Sequence, residues 1–290
     1  MPRIKITLLL LLLVPLLGVS QNEDTILSKK ELRKNRPTYR GTSLLGLGIG
    51  SFRDFATSPL IYSGISFSSS RFQIKIDKQR ETEWGSTLSV GLFGNAFNDH
   101  YSSSIVISPA IYYSQLYELK KLSSNKLNVK VGGLVNVTSN VRINQGLLNN
   151  ATGFEIIPTL FGSAKGTLDV SRKSERSKKF LFFNYKLDKR KKSLALRLNI
   201  GLLNSSFRNG YVYAGQSALL NEPSITDDYR LKVFSGFRMS SSLDYTLYSR
   251  KTTNAVQISY VWDAYKTGGD LDKLEMAQHA LRFTLLFNTK

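Results

Sequence analysis

Acid–base or metal chemistry in this chain of 290 residues would have to use two histidines and a scatter of carboxylates, because it has no cysteine. His100 follows Asp99 in a turn-like stretch, and His279 shares the phase of Leu281 and Phe283. A hydrolytic site needs a Ser, a His and an orienting Asn or Asp converging on one face. Neither histidine is in phase with the serines of a polar face, so no catalytic residue is assigned and the chain reads as a non-enzyme. Two histidines far apart do not make a metal site. The pairs Asp227/Asp228 and Asp270/Asp272 fall in loops and read as solvated acids. The lack of Cys also excludes thiolate metal sites, disulfides and a lipid anchor on an amino-terminal cysteine. No metal and no cofactor is expected.

The more telling chemistry is charge repeated at alternate positions. Arg71, Lys75, Lys130, Glu155, Lys165, Arg197, Lys232, Arg238, Asp244, Asp263 and Arg282 each interrupt an apolar run in phase with Ser, Thr, Asn or Gly. The stretch 229–248 shows it best. Leu231, Val233, Phe237, Met239, Leu243 and Leu247 occupy odd positions, while Arg230, Lys232, Arg238, Ser240, Ser242 and Asp244 occupy even ones. Only a β-strand sends alternate residues to opposite faces. Strands of soluble proteins usually run about 5–6 residues. A strand tilted across a membrane needs about 9–11 for the lipid zone alone.

Such strands fill most of the chain. Alternating runs are centred on residues 45–49, 61–67, 72–76, 84–92, 101–117, 127–137, 154–168, 181–187, 194–202, 229–248, 256–262 and 277–287. This predicts an all-β fold, an antiparallel up-and-down transmembrane β-barrel of about 12 strands over residues 43–288, or about ten or fourteen where a hairpin is miscounted. Gly46, Gly48 and Gly50 would face a crowded interior. Ser68–Ser70 reads as a tight turn, and Pro109 predicts a bulge. The connections alternate imperfectly between short and long: 77–83 and 120–125 are short where long loops are due, and 139–153 is long where a turn is due. The longest connection is 205–228. The listed charges become pore-lining candidates. Trp84, Tyr101, Tyr229, Tyr245, Tyr260, Trp262 and Phe287 fall toward strand ends, as an aromatic girdle at the membrane boundary requires.

At the amino terminus, Arg3 and Lys5 precede the apolar run Leu8–Leu17, and Gly18, Val19 and Ser20 supply small residues before Gln21. This is the pattern of a cleaved signal peptide over residues 1–20. Residues 21–42 read as a polar, basic periplasmic tail. The formal net charge is +19, or +17 without Arg3 and Lys5. A basic balance points to anionic partners. Export removes nucleic acid from that set and leaves outer-membrane lipid and lipopolysaccharide, or anions in a pore.

With these strands, this leader and its Tyr-, Asn- and Ser-rich barrel, the chain resembles the outer-membrane β-barrel proteins of Gram-negative bacteria, most closely the uncharacterised barrels of the Bacteroidota. The resemblance covers Ser43 to Phe287 as a pattern. It implies location in the cell outer membrane and a monomer. The expected function is a narrow, anion-leaning channel or a barrel filled by its own side chains. A membrane anchor or subunit holding an envelope protein partner is the alternative, and an outer-membrane hydrolase ranks third.

Overall fold

The computed structural model describes residues 36–289 apart from 98–99, 145, 148–151, 173, 181–182, 188, 210–228 and 270–271. The expected signal peptide and most of the tail lie outside the described residues. The strands are β1 (Thr38–Asp54), β2 (Ser58–Ile76), β3 (Arg80–Phe97), β4 (His100–Glu118), β5 (Leu127–Ile143), β6 (Thr152–Asp169), β7 (Arg176–Phe180), β8 (Phe183–Leu187), β9 (Lys192–Asn209), β10 (Tyr229–Val233), β11 (Phe237–Tyr248), β12 (Ala255–Lys266) and β13 (Leu274–Asn288).

Each long strand pairs antiparallel with its neighbour. β13 returns to pair with β1, from Tyr39↔Asn288 to Asp54↔Leu274, and this closes the barrel. β7 and β8 form a separate hairpin, and β6 pairs directly with β9. β10 and β11 pair with successive parts of the same strand β9, so they share one place in the wall. The ring therefore has ten places. The expected figure of about twelve exceeds it for two reasons. The runs at 61–67 and 72–76 are one strand, with no turn at Ser68–Ser70, and the run at 181–187 belongs to the side hairpin. Joining the first two runs also moves 77–79 to the end of the barrel where Thr38 and Asn288 lie, here called the base. Ile143 and Thr152, which pair with each other, lie at the opposite end, the top. The expected tail ends early, since Thr38 already pairs with β2 and Tyr39–Thr42 pair with both β13 and β2.

Alternation sets the two faces. Leu47, Ile49, Ile65, Phe67, Leu92, Ile111, Leu198, Ile200, Leu281 and Phe283 all stand exposed on the outside. Between them, Gly46, Gly48, Ser66, Ser70, Ser114, Arg197, Asn199, Arg238 and Ser259 are buried inside. The barrel is thus apolar outside and polar within over most of its height. The exception is the upper lumen, where Phe52, Tyr62, Phe93, Val106, Ile157, Tyr265, Leu274 and Met276 pack together. Phe52 stacks on Tyr62 at 5.1 Å and meets Phe93 edge-on at 5.4 Å.

Irregularities fall where backbone chemistry asks for them. Pro109 does not bulge. It pairs with Leu88 on β3, while the ladder to β5 lapses between Ile107 and Ala110. Pro158 behaves alike, paired with Val137 but within a gap in the ladder to β9. Each proline thus puts its missing N–H where no donor is required. Registers shift instead near Thr42/Leu45 and opposite Leu160/Phe161. The second shift changes which residues of β9 face inward, from Arg197 and Asn199 to Ser206 and Arg208. β10 and β11 part at Phe234 (φ 56°) and Gly236 (φ 87°). A Cβ on Gly236 would lie 2.2 Å from the Lys266 carbonyl oxygen. Left-handed strain costs about 1–3 kcal/mol for a residue with a side chain. Gly236→Val is expected to destabilise the barrel by about 2 kcal/mol or more on these grounds, read as a lower urea midpoint in lipid vesicles.

Candidate functional site

The lumen is the one place where charged side chains converge from many strands. At its top, Asp54 at the end of β1 receives two guanidiniums. Arg142 Nη1 from β5 lies 2.6 Å from Oδ2, and Arg208 Nη2 from β9 donates to Oδ1 at 2.6 Å. Arg142 Nη2 also reaches Glu155 Oε2 at 3.0 Å, while Asn140 Nδ2 donates to Glu155 Oε1 at 2.9 Å and to the Tyr265 hydroxyl at 2.6 Å. Arg208 Nη1 donates to the Asp272 carbonyl oxygen. Asp54 and Arg208 are 1% exposed and Glu155 0%, so this is a dry network of two acids and two bases. It caps the aromatic cluster around Phe52. Because the ring has ten places, β1, β5 and β9 stand well apart, and the Asp54 contacts span the bore.

Similar bridges cross lower down. Arg197 Nη1 on β9 reaches Glu83 Oε2 on β3 at 3.0 Å, and its Nη2 donates to Ser114 Oγ on β4 at 2.6 Å. The Tyr112 hydroxyl donates to the other Glu83 oxygen at 2.9 Å. Arg238 pairs with Asp263 through two nitrogens, at 3.2 and 2.7 Å, donates to Asn136 Oδ1 at 3.1 Å, and lies against the Phe161 and Tyr265 rings. Near the base, Glu81 takes Lys165 at 2.6 Å and Lys130 at 3.5 Å. Charged groups removed from water require this degree of pairing.

Between these crossings lies a cavity of about 310 Å³. Its lining runs from Tyr39, Ile76 and Tyr248 at the base to Phe161, Tyr265 and Met276 beneath the aromatic cluster. Serine and threonine hydroxyls cover much of the wall between, among them Ser66, Ser68, Ser89, Ser240 and Ser259. Among the described residues, no group of three His, Asp or Glu side chains stands close enough to hold a metal ion.

No protein-family model matches the chain, and no curated protein matches it. Solved structures do. The chain is similar to the outer membrane protease OmpT of Escherichia coli at 7% identity, over 88% of this chain and 97% of that one, with a TM-score of 0.47. It is also similar to the translocator domain of the autotransporter NalP of Neisseria meningitidis at 5% identity, over 89% and 92%, with a TM-score of 0.35. OccK7 of Pseudomonas aeruginosa aligns at 7% identity over 88% of this chain and all of that one, with a TM-score of 0.21. All three are bacterial outer-membrane β-barrels. At such scores they bear on no activity, and the barrel architecture rests on the strand pairing above.

Of the charges expected inside, Lys130, Glu155, Lys165, Arg197, Arg238, Asp244, Asp263 and Arg282 all are. Lys232 belongs to the top, paired with Asp272 at 2.5 Å. Arg71 and Lys75 are a correction. They are exposed on the outer wall, and Phe72, Ile74 and Ile76 line the cavity instead. Since β2 continues through Ser68–Ser70, its phase carries on unbroken and reverses the faces assigned to a new strand. The strongest bridge partners went unassigned: Asp54, Glu81, Glu83, Arg142 and Arg208. Each lies where a strand runs further than its apolar run suggests. The alternation Asn140, Arg142 against Val141, Ile143 is the signal that would have found one of them.

The girdle resolves into two levels and a remainder. Trp84, Tyr245 and Phe287 lie toward the base, and Tyr101 and Tyr229 toward the top. Tyr260 and Trp262 sit at mid-height, where the Tyr260 hydroxyl bonds His279 Nδ1 at 2.5 Å on the outer face. His100 opens β4, with its side chain outside the described residues. Asp54→Ala would strip both Arg142 and Arg208 of their shared acid. The expected cost is about 3–5 kcal/mol, as for other broken buried pairs. Arg71→Ala, on the outer wall, should move stability by under about 0.5 kcal/mol. Urea unfolding of the two variants in the same vesicles reads the contrast.

Proposed function

We propose that this chain is an integral β-barrel of the bacterial outer membrane whose lumen is filled rather than open, serving as a non-conducting, membrane-held body with a cavity reached from its base. One observation carries the reading. The Asp54–Arg142–Arg208–Glu155 network and the aromatic cluster beneath it occupy the upper lumen from wall to wall. The anion-leaning channel is set aside because the cations of that network, Arg142 and Arg208, are already paired with acids.

The outer wall supports the membrane location. Monomeric soluble proteins rarely expose apolar patches beyond a few hundred Å². Here the exposed apolar side chains encircle the barrel. Among the described residues, charges on the outer face of the strands gather toward the ends. Arg40, Arg71, Lys75 and Arg80 stand toward the base, and Arg53 and Lys266 toward the top. The residues at 1–20 fit delivery by a cleaved leader, which puts the base in the periplasm and the top outside. Arg53 and Lys266 then stand at the level of lipopolysaccharide phosphates. With no conduction, the role that fits is the anchor or subunit of an envelope assembly.

Two measurements test this. The mature chain, purified without amphiphile, is expected to aggregate, and a monodisperse solution in plain buffer would remove the membrane reading. Reconstituted in planar bilayers, the folded barrel should give no stable open-channel current. A steady anion-selective conductance would restore the channel.

A further inference from the structure

Arg282 stands apart from the other cations of the lumen. Lys130, Lys165, Arg142, Arg197, Arg208 and Arg238 each have a carboxylate within ion-pairing distance. Arg282 lines the cavity from β13 and makes no ion pair or hydrogen bond among the described residues, and its buried Nε has no acceptor. Among the inward acids of the neighbouring strands, Asp263 lies on β12 and Asp244 on β11. Asp263 is held by Arg238, and the contact at Asp244 is a 3.2 Å hydrogen bond from Ser242 Oγ.

The strand register builds a hydroxyl row around this guanidinium. On one side Arg282 pairs with Ser259, which pairs with Asp244. On the other it pairs with Gly46, and the row continues through Ser68, Ser89 and Ser108. Those serines line the same cavity. Gly46 brings the two sides together, for a Cβ there would stand 2.3 Å from Ser68 Oγ and 3.0 Å from Arg282 Cγ. Ser68 Oγ is itself buried with no hydrogen-bond partner. Two unsatisfied polar groups thus flank one glycine. Buried polar groups left so are uncommon and call for a partner from elsewhere.

We propose that this row is a binding site for a small monoanion, taken up from the base through a carboxylate or phosphate oxygen held between the Arg282 guanidinium and the Ser68 hydroxyl. Guanidinium forks suit such groups, with charge-assisted hydrogen bonds stronger than neutral ones. The paired charges of the lumen offer no competing cation at that level. Asp244, two strands away, disfavours anions of higher charge. A cavity of about 310 Å³ sits at the small end of the range for ligand pockets. The site is independent of whether the top is sealed, because a conducting barrel would still bind here and a sealed one lacking the site would not.

The test uses the full mature chain folded in detergent micelles at low ionic strength, titrated calorimetrically with sodium acetate, inorganic phosphate and, as control, sodium chloride. One-to-one saturable binding of acetate or phosphate is expected, and the tighter of the two identifies the group recognised. Arg282→Gln should weaken it by about tenfold or more, Arg282→Lys should keep part of it, and Ser68→Ala should lower it several-fold. If Arg282→Gln does not fold, Ser259→Asp gives the answer, since it sets a carboxylate beside an intact Arg282 and should abolish binding. Saturation by neither oxyanion, or wild-type binding in a folded Arg282→Gln or, where that variant does not fold, in Ser259→Asp, overturns the proposal.

Discussion

Everything in this barrel depends on the pairing of its last strand with its first. A wall that is apolar outside offers no water to an unpaired N–H or C=O, and each such group left bare costs several kcal/mol. The only remedy for a sheet is to have no edge. The β13–β1 ladder supplies it, running from Tyr39↔Asn288 to Asp54↔Leu274. The two prolines in mid-strand and the break between β10 and β11 follow the same logic, since each occurs where a ladder bond is already missing or transferred.

Closure creates the second constraint, the inside. Ten strands enclose a lumen that side chains can nearly fill. The chain fills it in two ways, with aromatic packing at the top and with charge pairs elsewhere. Each pair stabilises only as a pair, because a charge left alone in a poorly hydrated interior is costly. Some inward acids and bases meet across the bore, as Asp54 does with Arg142 and Arg208 and Glu83 with Arg197, and others meet along one wall, as Arg238 does with Asp263 and Arg142 with Glu155.

Much of this was legible in the residues. Period-two patterning identified the barrel, and it placed Gly46, Gly48, Arg197, Arg238 and Asp263 on the inner face. It faltered where the pattern is physically ambiguous. Three serines in a row at Ser68–Ser70 read as a turn, yet serine is small enough to sit on either face of a strand. With the strand divided there, Arg71 and Lys75 were turned inward. The alternation near them was real, but it said only that polar and apolar residues face opposite ways. Phase has to be inherited from the rest of the strand. The bridge partners Asp54, Arg142 and Arg208 were hidden for a related reason. Local sequence signals where a strand is oily, and strand ends above the oily belt lose that signal while keeping their geometry.

The Asp54 crossing also constrains the order of assembly. Its acid is on β1, and its two partners arrive on β5 and β9, the second lying 154 residues further along the chain. Contacts between such distant segments form slowly, since the intervening chain must first be ordered. A nascent barrel holding only its early strands would carry Asp54 with no counterion and an exposed β1 edge. Both debts are cleared only when the late strands arrive, so partly formed barrels gain little stability and closure is favoured as one concerted event.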